Sequence, residues 1–282
     1  VMSPLVTGVG NYAFSGCSNL RSVNMSFVTN VGSNAFDGCF NLTSVIMPLV
    51  TSVGSFAFRH CSNLTSVDTP LVTSVEHAAW QSCSSLTNIN IPLVTNVESS
   101  AFQSCSRPTR IDMPLATGVG SWAFVLCFSL TSVEMPLVTG VGSHAFRSCY
   151  SLPIVYLSRT TSVEDYAFYL CSSLITVDIP LATSIGDFSF SGCSSLSSVN
   201  VSFVTDAGLN AFDSCSSLAS VVMPLVTSVG NNAFRACSSL NSFNTPGLLS
   251  LPPSLTSIGD QAFYQCTGLR GNLVIPSSVT SV

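Results

Sequence analysis

The cysteines constrain this chain more than any other feature. They stand at Cys17, Cys39, Cys61, Cys83, Cys105, Cys127, Cys149, Cys171, Cys193, Cys215, Cys237 and Cys266; the first ten intervals are all 22 residues and the last is 29. A fixed period of this size is the signature of stacked, like coils, because each unit is too small to bury its own apolar face. Other residues keep the same phase. An aromatic stands three residues before every Cys (Phe14, Phe36, Phe58, Trp80 and onward to Phe263), a Thr ten before (Thr7, Thr29, onward to Thr256), and a Leu three after, except where Pro108 stands. The unit reads C-x-x-L-x-x-V-x-x-P-L-V-T-x-V-G-x-x-A-F-x-x.

Within a unit, the alternation of Leu42, Val45 and Met47 predicts a short strand with one buried face, ended by Pro48, which cannot donate to a ladder. The V-T-x-V-G segment predicts a second extended stretch. The A-F-x-x-C segment closes the coil as a tight turn or a single helical turn. Strands centred on Val23, Val45, Val67, Ile89 and their counterparts should pair in parallel, with the right-handed connection usual for parallel crossovers. The expected class is α/β: a right-handed solenoid of about twelve coils, with the sheet on the concave face and turns or single helical turns outside. Residues 1–282 read as one solenoid domain with an irregular unit at 238–266, where Gly247 to Pro253 (GLLSLPP) is inserted, and as a piece of a longer array.

The motif L-x-x-V-x-x-P-x-x-V-T-S-I-G-x-x-A-F-x-x-C, best matched by residues 255–266 and 275–282, resembles the BspA-like (Treponema pallidum-type) leucine-rich repeat family along the whole chain. The units here run one residue shorter than that family's usual period. The resemblance implies a leucine-rich-repeat solenoid and a role in adhesion at the surface of bacteria or parasitic protists, toward a protein ligand such as a host extracellular matrix protein.

Composition narrows the function classes. Only 7% of residues are charged, all eight basic residues are Arg, and the net charge is −5. No basic stripe is present, so nucleic acid is not an expected partner. No apolar run approaches the ~20 residues of a membrane helix, so membrane insertion is not expected. The cysteines form no C-x-x-C pair and no cluster with His at metal spacing, so neither metal nor other cofactor is expected. Each Cys holds the same place in its coil, which predicts an inward column of buried, reduced thiols, with Cys266 beside the irregular unit as the one exception. The repeated Thr predicts a column of hydroxyls bonded to the backbone of the adjacent coil. The repeated Gly gives way to Glu76, Glu98 and Glu164, so its site does not demand a positive φ. His60, His77 and His144 fall at different coil positions, and no catalytic arrangement emerges.

Candidate binding residues come from the strand position seven residues after each Cys, which should project from the sheet. It reads Asn24, Ile46, Asp68, Asn90, Asp112, Glu134, Tyr156, Asp178, Asn200, Val222, Asn244. Asp68, Asn90, Asp112, Glu134, Tyr156 and Asp178 make an acidic strip suited to a basic or cationic partner, with Arg110 beside Asp112 offsetting repulsion between Asp112 and Glu134. A second cluster, Trp122, Val125, Leu126, Phe128, Tyr150, Ile154, Tyr156, Tyr166 and Tyr169, occupies positions that elsewhere hold Ser or Asn; Tyr150 and Tyr169 are its candidate contact residues. Asn24, Asn41, Asn63 and Asn200 begin N-x-S/T sequons. The expected function is a non-catalytic adhesion or recognition module, extracellular or on the cell surface. The competing expectation is a structural subunit that self-associates end to end through uncapped ends into filaments or a layer.

Overall fold

A computed structural model describes residues 6–245, 248–270 and 273–282. Gly247 of the insert lies outside the described residues. The chain divides into two compact units, Val1–Leu137 and Val138–Val282, each a stack of coils.

In the first unit, the two-residue strands Gly8–Val9, Asn30–Val31, Ser52–Val53, Ser74–Val75, Asn96–Val97 and Gly118–Val119 form one parallel ladder. The three-residue strands Ser22–Asn24, Ser44–Ile46, Ser66–Asp68 and Asn88–Asn90 form a second, in which Val23, Val45, Val67 and Ile89 are rung partners. That ladder ends at Asn88–Asn90, and Arg110–Asp112 pairs separately with Ser132–Glu134. The break falls at the coil where buried Pro108 replaces the repeated Leu, and there Ile89, unlike its counterparts, is only half-buried.

The second unit repeats the pattern, with two-residue strands from Gly140–Val141 to Ser257–Ile258 and three-residue strands from Ile154–Tyr156 to Ser220–Val222, all parallel. Among the described residues the one antiparallel pair is Ser242–Thr245 with Leu248–Leu249.

The coil closes without a helix. Among the described residues there is none, so the class is all-β and the expected helical turn is corrected. The reason lies in where the backbone N–H groups go. Between Phe56 and Cys61 they alternate. Those of Phe56, Phe58 and His60 donate to the next coil (His77, Ala79 and Gln81 carbonyls, 2.8–2.9 Å), while those of Ala57, Arg59 and Cys61 turn back three residues to Gly54, Phe56 and Phe58. A helix would use every N–H internally and leave none for stacking. The alternation requires left-handed backbone at two points per coil, such as Phe56 (φ 59°) and His60 (φ 60°), and the second point is glycine only at Gly16, Gly38 and Gly192. The inter-coil bonds hold non-glycine residues in a conformation that costs each of them about 1–2 kcal/mol.

The interior is a set of columns. Leu42, Met47, Val50, Val53, Ala57, Phe58 and Cys61 of one coil are fully or nearly fully buried. Phe36 and Phe58 stack at 5.1 Å between centroids, and Trp80 and Phe102 at 5.3 Å. All twelve cysteines are free, and the buried thiols from Cys39 to Cys127 and, further along, Cys171, Cys193, Cys215, Cys237 and Cys266 each donate to a main-chain carbonyl, as Cys83 to Phe58 at 3.1 Å. The exposed thiol is Cys17, whose outer side no described coil covers; Cys266, the expected exception, is buried. Thr51 Oγ1 donates to the Thr29 carbonyl at 3.2 Å and Thr95 Oγ1 to Thr73 at the same distance, so the repeated Thr ties coil to coil as expected.

The columns expose one misfit. Ser189 occupies the position held by Ala167 and Ala211 in the adjacent coils, is fully buried, and its hydroxyl meets no partner. Replacing it with the residue its neighbours use, Ser189→Ala, removes an unsatisfied buried group and should raise stability by about 1–2 kcal/mol in a urea melt. An unchanged or lowered midpoint would show that the hydroxyl is satisfied after all.

Candidate recognition surface

In the first unit the outward row is in register rung by rung: Asn24 opposite Ile46, Ile46 opposite Asp68, Asp68 opposite Asn90, and Asp112 opposite Glu134. Strand alternation puts these side chains outside because Val45 or Val67 between them faces the core. Asn90 Nδ2 donates to Asp68 Oδ1 at 2.8 Å. Arg110 Nε donates to Asp112 Oδ2 at 2.6 Å and its Nη2 to Glu134 Oε1 at 3.0 Å. One guanidinium therefore serves two carboxylates on adjacent rungs, and the repulsion expected between them is relieved. The same contact makes this stretch less acidic than the row of letters suggests, leaving one net negative charge on the trio.

In the second unit Tyr156 and Asp178 are rung partners, both exposed, with Asn200 next in the row. Tyr150 is exposed and Tyr169 half-buried. Of the aromatic cluster, Trp122, Phe128, Tyr150, Ile154 and Tyr156 are exposed, while Tyr166 and Tyr169 pack against neighbouring rings. His144, Tyr166 and Phe188 occupy the same left-handed position in successive coils, and their rings stack nearly parallel at 4.6 and 4.7 Å. Tyr169 meets Tyr166 edge-on at 5.5 Å, with the Arg147 guanidinium 5.3 Å from its ring centre. Ring faces covered by other rings offer a partner only their edges. Val125, counted in the same cluster from the sequence, is buried. Burial, and after it the positive Arg147, lowers the His144 pKa below its ordinary 6.5.

Two surface features escaped the sequence reading. The residue after each strand-ending proline points outward, so Leu49, Leu71, Leu93 and Leu115 of the first unit form an apolar row, each 39–42% exposed. The signal was available: Leu49 follows Pro48 in a turn, closed by the Val50 N–H on the Met47 carbonyl at 3.2 Å, and turn residues lie at the surface. In the second unit a groove of about 430 Å³ is bordered by Glu164, Asp165, Asp187 and Asp206. Three of these carboxylates already cap backbone: Asp165 Oδ1 accepts the Asp187 N–H at 2.8 Å, Asp187 Oδ1 the Leu209 N–H at 2.7 Å, and Glu164 the Ser143 N–H at 2.8 Å. Asn11 and Asn231 do the same for Ser33 and Asp260, so this is a coil-joining device.

Among the described residues no group of three or more His, Cys, Asp or Glu is placed to hold a metal ion, and no helix is long and apolar enough to cross a membrane.

The family model described as BspA type leucine rich repeat region (6 copies) matches residues 2–109, 29–153, 117–241 and 247–282. A comparison with curated proteins returned no match. Among solved structures, a leucine-rich repeat protein from Bacteroides ovatus is similar over 93% of this chain and 82% of its own, with 23% identity and a TM-score of 0.69. One from Eubacterium ventriosum is similar over 99% of this chain and 78% of its own, with 20% identity and a TM-score of 0.54. The T. pallidum leucine-rich repeat protein shares 29% identity over 63% of this chain and 80% of its own, with a TM-score of 0.49.

Proposed function

Since the chain belongs to the BspA-type leucine-rich-repeat family, we propose that it is a non-catalytic adhesion or recognition module, extracellular or on the cell surface. It binds a protein partner, such as a matrix protein, through the outward rows of its three-residue strands. The observation that carries the reading is the division of labour within each strand. The central residue is Val or Ile in every three-residue strand, while the residue beside it runs through Asn, Ile, Asp, Glu, Tyr and Val. A surface kept rigid by an invariant core and varied rung by rung is suited to selecting a partner. Asp68, Asn90, Asp112 and Glu134 in the first unit, and Tyr156 and Asp178 in the second, are the proposed contacts, with Tyr150 and Tyr169 at the side.

The shared guanidinium makes this testable. With an immobilised extracellular-matrix preparation as probe, Asp112→Asn/Glu134→Gln should weaken binding, and added salt should weaken it further, because exposed charges are screened within ~8 Å at physiological ionic strength. Arg110→Ala should strengthen binding to a basic component of that preparation several-fold at low salt, by freeing both carboxylates. If both variants bind as the wild type does, this stretch of the row is not the contact.

A further inference from the structure

We propose that Asn24 and Asn200 are acceptors for N-linked glycan, one in each unit. The proposal rests on the extracellular reading above, since the transfer takes place on the secretory route. Its sugar donor is a lipid-diphosphate-linked oligosaccharide.

The coils themselves single out these two positions. The residue nine after the cysteine is Pro in most coils but Ser at 26, 158 and 202, and of these only Ser26 and Ser202 lie two residues beyond an asparagine, Asn24 and Asn200. Asn90 occupies the same strand position, yet Pro92 stands where the acceptor's hydroxyl would be needed. The next residue is Phe only in these same two coils, Phe27 and Phe203, where the rest have Leu, Arg or Gly. The set Asn-x-Ser-Phe therefore travels together, between coils that are also alike elsewhere (SSVNVSFVT and RSVNMSFVT).

The structure adds geometry. Asn24 and Asn200 each end a strand with an exposed side chain. Ser26 Oγ donates to Asn24 Oδ1 at 3.1 Å, and Ser202 Oγ to Asn200 Oδ1 at 2.6 Å. The hydroxyl that a sequon requires is thus turned onto the amide that would react. The other two sequons differ. Thr43 and Thr65, the hydroxyl residues for Asn41 and Asn63, donate to the Arg21 and Thr43 main-chain carbonyls. Asn41 and Asn63 also stand on adjacent coils, with Asn63 Nδ2 3.4 Å from Asn41 Oδ1, too close for two glycans side by side. Beside the favoured pair, Phe27 and Phe203 are each 52% exposed, an apolar surface that the less polar face of a first sugar can cover.

In the step itself the asparagine amide nitrogen attacks the anomeric carbon of the donor sugar. An N–C bond forms, the bond from that carbon to the diphosphate oxygen breaks, the amide gives up a proton, and the lipid diphosphate leaves with the electron pair.

The test is to produce the chain behind a secretory leader in a eukaryotic cell line, as the wild type and as Asn41→Gln/Asn63→Gln. Both the medium and the cell-retained pool are treated with peptide N-glycosidase in heavy-oxygen water, which converts modified asparagines to labelled aspartate. The expected result is that the double variant still loses the mass of two glycans, with label in the peptides spanning positions 24 and 200. Removing the glycans should also lower the melting temperature by a few degrees, and not in Phe27→Ser/Phe203→Ser. Unlabelled peptides at both positions in both pools would overturn the proposal. The leader supplies the secretory route, so label at both positions in a protein that fails to bind matrix would count against the adhesive reading alone.

Discussion

Above about pH 9 this protein should lose stability faster than its few charges suggest, because its core is lined with thiols. Burial raises the pKa of ten cysteines: Cys39 and Cys266 are pushed up to about 11, Cys105 and Cys171 to about 12, and Cys61, Cys83, Cys127, Cys193, Cys215 and Cys237 are raised by burial as well. In the unfolded chain these thiols ionise near the ordinary value of 9.0. The folded state therefore holds protons that the unfolded state releases, and stability falls as pH rises from 9.0 toward the folded values. Each such thiol contributes about 1.4 kcal/mol per pH unit once its unfolded form is fully ionised. Ten together reach on the order of 10 kcal/mol one unit above that point, comparable with the whole stability of a domain. The chain has no Lys, so no ammonium side chain titrates alongside the thiols. Urea midpoints measured between neutral pH and about pH 10 should fall steeply, and Cys105→Ala/Cys171→Ala should flatten the slope by two protons. A midpoint that stays level over this range would mean that the column is not buried.

Phe102→Ala should cost about 3–5 kcal/mol. Phe102 is fully buried between Trp80 at 5.3 Å and Phe124 at 5.5 Å, so its removal opens a gap in a continuous stack. Its neighbour Gln103 points outward, where it accepts a 2.8 Å hydrogen bond from Gln81 Nε2, and Gln103→Ala should cost no more than about 1 kcal/mol. Equal denaturation midpoints for the two variants would reverse the assignment of inside and outside in this turn.

The period, the parallel strands and the inward Cys, Phe and Thr columns were legible because each is imposed identically on every coil. What repeats in register must meet its own copy. The closing turn was not legible. The spacing of Phe and Cys by three fits a helical turn as well as the observed one, and the deciding feature is the alternation of N–H directions along residues 56–61, which no side chain announces. The candidate surface was legible as positions and less so as chemistry. Asp112 and Glu134 do face each other, but Arg110 reaches both, and only the rung geometry shows that a residue two before one acid is also within 3.0 Å of the other. Within the aromatic cluster, the covering of Tyr166 was hidden because Tyr166 and Phe188 stand 22 residues apart in the letters, while their rings lie 4.7 Å apart in the fold.

The central claim is that an invariant core holds a variable outward row for a partner to read. The most direct measurement replaces the row and leaves the core. In the first unit, Asp68→Ser, Asn90→Ser, Asp112→Ser and Glu134→Ser are combined in one variant with Arg110→Ser, so that the guanidinium is not left without its two carboxylates. Its binding to the immobilised matrix preparation is then titrated beside the wild type, with the melting temperature of each recorded. The expected result is at least a tenfold loss of affinity, about 1.4 kcal/mol, with a melting temperature within a few degrees of the wild type. Undiminished binding by a variant that melts normally would contradict the claim.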